Sequence, residues 1–298
     1  MEHAGRIAVT RDESGSRLID CGVHVKGGLE VGCQLAEVAL AGLGRVEIVP
    51  GDSQVWPGPA VVIRTDSPVA ACMASQYAGW QVVGEKYFGM GSGPMRAVRG
   101  KEKLFDDIGY REKCSEAVGV LESGKLPTRG VCHHIAEECR IDPENLTLLV
   151  APTASLAGTV QIVARTVETA LHKMHELGFD LKTVISGFGV APLPPIAKDD
   201  LAGIGKTNDA ILYGGDVTLW LSAEDDYLAE LTPRIPSSAS ADHGQPFGEI
   251  FERYNHDFYK IDPLLFSPAV VNLVNLKSGR LFRAGKLLPA VLKRSFGR

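Results

Sequence analysis

Residues 146–192 read LTLLVAPTASLAGTVQIVARTVETALHKMHELGFDLKTVISGFGVAP. The opening Leu146-Thr147-Leu148-Leu149-Val150-Ala151 is an apolar run of strand length. Pro152-Thr153-Ala154-Ser155 then sets a turn and a capping serine in front of a helix. Leu156, Val160, Val163, Val167, Ala170, Met174 and Leu177 recur at steps of three and four, which is one buried stripe along a helix over 156–177 stopped by Gly178. Thr183-Val184-Ile185-Ser186 follows as a second strand, and Gly187-Phe188-Gly189-Val190-Ala191-Pro192 reads as a glycine loop. Strand, helix and strand in succession place the chain in the α/β class.

The same grammar occurs upstream. Ala60 to Thr65 is a strand, Pro68 to about Trp80 a helix and Gln81 to Val83 a short strand, before a glycine-rich loop from Phe88 to Arg96. The two loops align as G-x-G-x-small-Pro. This suggests two α/β (α+β) lobes of related design with a substrate cleft between them, although a chain with 33 Gly and 17 Pro also repeats such loops by chance. The boundary is expected near residue 140, giving lobes 1–140 and 141–298 whose segments interchange. Further strands are expected at Ile7–Thr10, Leu18–Val23, Val46–Val49, Asp209–Gly215 and Asp216–Leu221, with helices over Gly32–Leu43 and Phe247–Phe258.

Composition narrows the function. The 298 residues carry 31 Lys+Arg against 36 Asp+Glu, a formal net charge of −5, which disfavours nucleic acid as a partner. No apolar run reaches the length of a membrane span, and the first residues lack the apolar stretch of a signal peptide, so a cytoplasmic protein is expected. The six cysteines are scattered, without a CxxC pair. Cys132-His133-His134 with Glu137, Glu138 and Cys139 is the one cluster with metal-ligand spacing, but HExxH is absent and a solvated helix explains it better.

Two stretches have the residue types for chemistry. Successive glycines at 89, 91 and 93 let backbone N–H groups approach an anion or a ring, flanked by Lys86 and Arg96. The pattern is neither GxGxxG nor Walker A, so a Rossmann dinucleotide fold is disfavoured, while a structural turn remains an equal reading. On the helix 156–177, Gln161, Arg165, Glu168, His172 and His175 form a second stripe roughly 100° from, and bordering, the apolar one. Arg165 and Glu168 stand at i,i+3, close enough for the guanidinium to hold the carboxylate ionised. They are either an acid/base pair facing a cleft or a surface ion pair.

The stretch from Ala154 to Lys173 closely resembles the methenyltetrahydromethanopterin cyclohydrolase family, as do Gly89-Met90-Gly91-Ser92-Gly93-Pro94 and Tyr254-Asn255-His256-Asp257-Phe258-Tyr259-Lys260-Ile261-Asp262-Pro263. Leu126-Pro127-Thr128 and Asn208 to Gly215 are similar to it too, and the matches run in order from about residue 20 to 275. The resemblance implies a hydrolase of one-carbon metabolism that opens the cationic methenyl bridge of its pterin substrate with water. It implies a homotrimer of two-lobed subunits, and neither metal nor nicotinamide cofactor. It places Arg165 and Glu168 as the catalytic pair and Lys86 at the substrate. Gly91, Ser92, Gly93, Arg96, Ser155 and Gln161 complete the expected substrate-binding set. The rival readings are a dehydrogenase acting on the same carrier and a pterin-binding protein without catalysis.

Overall fold

A computed structural model describes residues 5–257 and 260–297. Phe258, which ends the expected helix, and Tyr259, which follows it in the third motif above, lie outside the described residues. Among the described residues, twelve strands form two six-stranded sheets. The first, in spatial order, comprises β1 (Ala8–Arg11), β2 (Arg17–Asp20), β8 (Leu146–Ala151), β7 (Ala117–Glu122), β6 (Tyr87–Ser92) and β5 (Trp80–Gly84). The second comprises β12 (Leu281–Gly285), β11 (Val270–Asn275), β10 (Asp216–Leu221), β9 (Val184–Pro192), β4 (Pro59–Thr65) and β3 (Gly44–Pro50). Both are mixed: β2/β8, β7/β8 and β10/β11 are parallel, and the other pairings are antiparallel. The class is α/β (α+β). The sheets exchange segments along the chain, since β3 and β4 join the second sheet and β8 joins the first.

Ten α-helices accompany them among the described residues: α1 (Leu29–Ala39), α2 (Met95–Arg99), α3 (Leu104–Ile108), α4 (Arg129–Cys139), α5 (Leu156–Val163), α6 (Thr166–Glu176), α7 (Asp200–Gly214), α8 (Asp225–Leu231), α9 (Phe247–Arg253) and α10 (Pro289–Phe296). Helices α1 and α5 pack on each other so closely that a Cβ on Gly32 would sit 2.6 Å from Val160 Cβ. Ala157, Val31 and Leu35 bury against the first sheet through Val120 and Ala151. Val160, Val163 and Val167 belong to the larger core over the second. The apolar stripe read from the sequence therefore fastens the two sheets together through one chain segment.

Four local readings are corrected by the structure. The two glycine loops are strands, β6 and β9. Their glycines alternate because one face of each strand lies under a close neighbour: a Cβ on Gly91 would meet Met95 Cε at 2.9 Å, and Cβ atoms on Gly187 and Gly189 would meet Val167 at 2.7 and 3.0 Å. Residues 209–214 are the end of α7, because its apolar residues pack at helical spacing against α9 and α10. The segment after Pro68 forms a π-helix over Val69–Gln76, closed by an i−5 bond from the Tyr77 N–H to the Cys72 carbonyl at 2.8 Å. The expected helix 156–177 is two helices with a break at Ala164-Arg165.

The Cys132–Cys139 cluster lies on α4, with both thiols buried and Glu138 paired to Arg99 and Lys101. No group of three metal-ligating side chains occurs among the described residues. Nor is any described helix long and apolar enough to cross a membrane.

Candidate active site

The break between α5 and α6 has identifiable causes. The Thr166 hydroxyl donates back to the Val163 carbonyl at 2.7 Å, and the Thr169 hydroxyl donates to the Arg165 carbonyl at 2.7 Å. Such back-bonding bends helices. From outside, the Gln76 amide Nε2 donates to the Ala164 carbonyl at 3.1 Å, and side-chain insertion of this kind kinks a helix. Arg165 consequently occupies the N-cap of α6 with φ −82° and ψ 7°, and Glu168 falls in its first turn.

Arg165 and Glu168 are buried, 7% and 6% exposed, so the surface-ion-pair reading is excluded. The guanidinium is held by neutral acceptors. Nη1 donates to the Gln76 carbonyl at 2.8 Å; Nη2 donates to Ser92 Oγ and Gln161 Oε1, each at 3.3 Å. Arg165 Nε and Gln76 Oε1 are both buried without a partner. The Glu168 carboxylate makes no hydrogen bond or ion pair among the described residues. Its titration corrects the expectation that Arg165 holds it ionised. Burial pushes the Glu168 pKa up to about 7, and the nearby Arg165 and Arg96 charges only partly offset that. A carboxyl poised near neutrality and free of internal partners is equipped to take and return a proton.

Around this pair lies a second buried cation. Arg96, at 0% exposure, makes a two-pronged pair with Glu102: Nε donates to Oε1 at 3.1 Å and Nη2 donates to Oε2. Its Nη1 donates to the Met73 carbonyl at 2.9 Å. The guanidinium lies 4.9 Å from the Tyr77 ring centroid and 5.3 Å from that of Phe105. Tyr77 in turn stacks on His172 at 4.9 Å and 17°. Burial, with the Glu168 charge adding to it, pushes the Tyr77 hydroxyl up to about 12, and burial pushes His172 down, so both are neutral at pH 7.

The structure thus gathers Ser92, Arg96, Gln161, Arg165 and Glu168. Gly91 and Gly93 bear on the cluster through the backbone. Gly93, at φ +91°, makes the turn from β6 into α2, and its N–H donates to the Ser75 carbonyl at 2.8 Å. Ser155 lies at the other end of α5, ten residues and about 15 Å of helix from Arg165. There its hydroxyl caps the helix by accepting from the Gly158 N–H at 2.9 Å. Lys86 lies exposed in the β5–β6 turn, about 20 Å of strand from Ser92. Gln76, Tyr77 and Glu102 complete the cluster and were not singled out by the sequence. The available signal was Gln76 itself, a polar residue closing the otherwise small and apolar run Val69–Ser75.

The family model described as Cyclohydrolase (MCH) matches residues 1–296. Among curated proteins, one from Rhodopirellula baltica is 49% identical over 289 residues, covering 95% of this chain and 87% of its own. One from Methylobacillus flagellatus is 47% identical over 293 residues (98% and 89%), and one from Methanosarcina mazei is 44% identical over 292 (97% and 91%). All three bear the name methenyltetrahydromethanopterin cyclohydrolase.

Proposed function

The chain belongs to the Cyclohydrolase (MCH) family, and from that premise we propose how its buried carboxyl performs the reaction. It hydrolyses 5,10-methenyltetrahydromethanopterin to N5-formyltetrahydromethanopterin in one-carbon metabolism. The observation that carries the mechanism is the Glu168 carboxyl, buried, unpartnered and poised near pH 7 beside Arg165.

The methenyl carbon lies between two nitrogens of a cationic amidinium and is already electrophilic. A positioned water and one proton acceptor are sufficient. Glu168, as the carboxylate, takes a proton from water as the water oxygen bonds to the methenyl carbon, giving a neutral carbinol. The same proton passes to N10 as the carbon–N10 bond breaks. The carbinol O–H proton leaves to solvent and the formyl group stays on N5. One cation and one water thus yield one neutral formyl product and one proton. Arg165 lowers the cost of the buried Glu168 anion and replaces the substrate's positive charge as that charge is lost.

Ser92 and Gln161, already on the Arg165 guanidinium, face the reacting end of the substrate, with the Gly91 and Gly93 backbone beside them. Arg96 is committed to Glu102, so the uncommitted cation at Lys86 is assigned to the anionic tail. Ser155 serves by fixing where α5 begins. The electrophile is the substrate's own cation, so we assign no metal or nicotinamide, and a chelator should leave turnover unchanged. The protein is proposed to act in the cytoplasm as a homotrimer, which sedimentation would report as three times 31.9 kDa.

Glu168→Gln tests the mechanism. Loss of the methenyl absorbance should slow by about a hundredfold or more while substrate binding persists. Wild-type kcat/KM should fall tenfold per unit as pH drops below about 7. Retention of more than about a tenth of kcat would remove Glu168 as the base.

A further inference from the structure

Of the buried polar side chains that the mechanism leaves unused, Gln76 sits at the junction on which the catalytic pair depends. Gln76 ends the π-helix Val69–Gln76 and is fully buried. Its backbone carbonyl is the shortest hydrogen-bond acceptor of Arg165, at 2.8 Å from Nη1. Its amide nitrogen occupies the Ala164 carbonyl at 3.1 Å, inside the helix break. One residue therefore grips both the guanidinium and the backbone that carries it. The buried amide oxygen and the buried Arg165 Nε–H are both left without partners. Burying such groups unpaired is costly, and strain of this kind persists where the surroundings enforce it.

We infer that Gln76 is a positioning residue for the hydrolysis: by wedging open the α5–α6 junction it sets the guanidinium of Arg165 against the carboxyl of Glu168. In a continuous helix the arginine and the glutamate would keep plain i,i+3 geometry, with no reason for the side chain to turn towards Gln76 and Ser92. The wedge aims Arg165 into the cluster, and the π-helix carrying it also brings Cys72 and Tyr77 towards Glu168. The charges that act on Glu168 are accordingly Arg165 from the break and Arg96 from α2, while Glu168 in turn helps to hold the Cys72 thiol and the Tyr77 hydroxyl neutral.

This rests on Glu168 being the base, and Glu168→Gln tests that separately. Gln76→Met removes both amide functions at nearly constant volume. The Arg165 field at Glu168 then weakens, and the acid limb of the kcat profile should move up by about one pH unit. Turnover should fall about tenfold at pH 6, largely recover at pH 9, and leave KM within about threefold. Gln76→Glu, close to isosteric, removes the donor to Ala164 and adds negative charge beside Arg165, so it should move the limb the same way. Either variant, if folded, decides the point. A uniform loss at every pH, or unchanged kcat with an unmoved limb, would overturn the inference even if Glu168→Gln is inactive.

Discussion

Arg96 and Arg165 are both buried, lie in the same cluster and both influence Glu168, yet they are satisfied in opposite ways. Arg96 has a carboxylate, Glu102, on two of its nitrogens, a carbonyl on the third and aromatic rings nearby. Arg165 has one good carbonyl, two long contacts to neutral oxygens and one nitrogen with nothing. A buried charge paired by its own carboxylate is part of the framework. One held only by neutral acceptors keeps its field available, and that field acts on the Glu168 carboxyl. Burial alone does not distinguish a structural ion from a catalytic one; the completeness of its partners does.

Exchanging each arginine for methionine should separate the two roles. Arg165→Met is expected to lower kcat by about a hundredfold or more, the scale of removing a group that balances charge in the transition state. Its thermal stability should change little, because only neutral partners are released. Arg96→Met strands the mostly buried Glu102 carboxylate and should cost about 3 kcal/mol, seen as a lower denaturation midpoint. Its kcat per folded molecule should fall far less than that of Arg165→Met. Equal losses of activity, or a larger destabilisation from Arg165→Met, would break the distinction.

The sequence made the α/β class legible because the β8–α5–α6–β9 unit has unambiguous strand runs and a continuous apolar stripe. The stripe also hid the break. Val163 and Val167 remain four apart whether or not the helix is interrupted, and one of the hydrogen bonds at the interruption comes from Gln76, 88 residues away in sequence from Ala164. The glycine strands misled for a related reason. Gly at every second position is a strand signal when a helix presses on one face, but the pressing residues, Met95 and Val167, are visible only after folding. Arg165 and Glu168 were legible as a pair. Their burial, and with it the raised pKa of Glu168, was not, because the stripe bordering the core gave no sign of what would cover it.

A second buried carboxyl sharpens the comparison, with a smaller expected effect. Burial pushes Asp209 on α7 up to about 7, against the pull of the Ser295 hydroxyl and the Phe247 N–H. Unlike Glu168, its Oδ1 accepts from the Phe247 N–H at 2.7 Å, at the start of α9, which gives it a framework role. Its folded pKa lies above the 3.8 of an unperturbed aspartate, so the folded state binds the proton more tightly. Stability therefore falls as pH rises from about 4 to about 7 and stays lowered above that. Asp209→Asn keeps an oxygen for the Phe247 N–H and cannot ionise. It should melt several degrees above the wild type at pH 8, match it only at about pH 4 and below, and leave kcat unchanged. Glu168→Gln should show the same pH-dependent rise in melting temperature with loss of turnover, because the active form of Glu168 is the buried anion that costs stability. A rise at pH 8 for Asp209→Asn together with lost activity would mean that Asp209, too, belongs to the site.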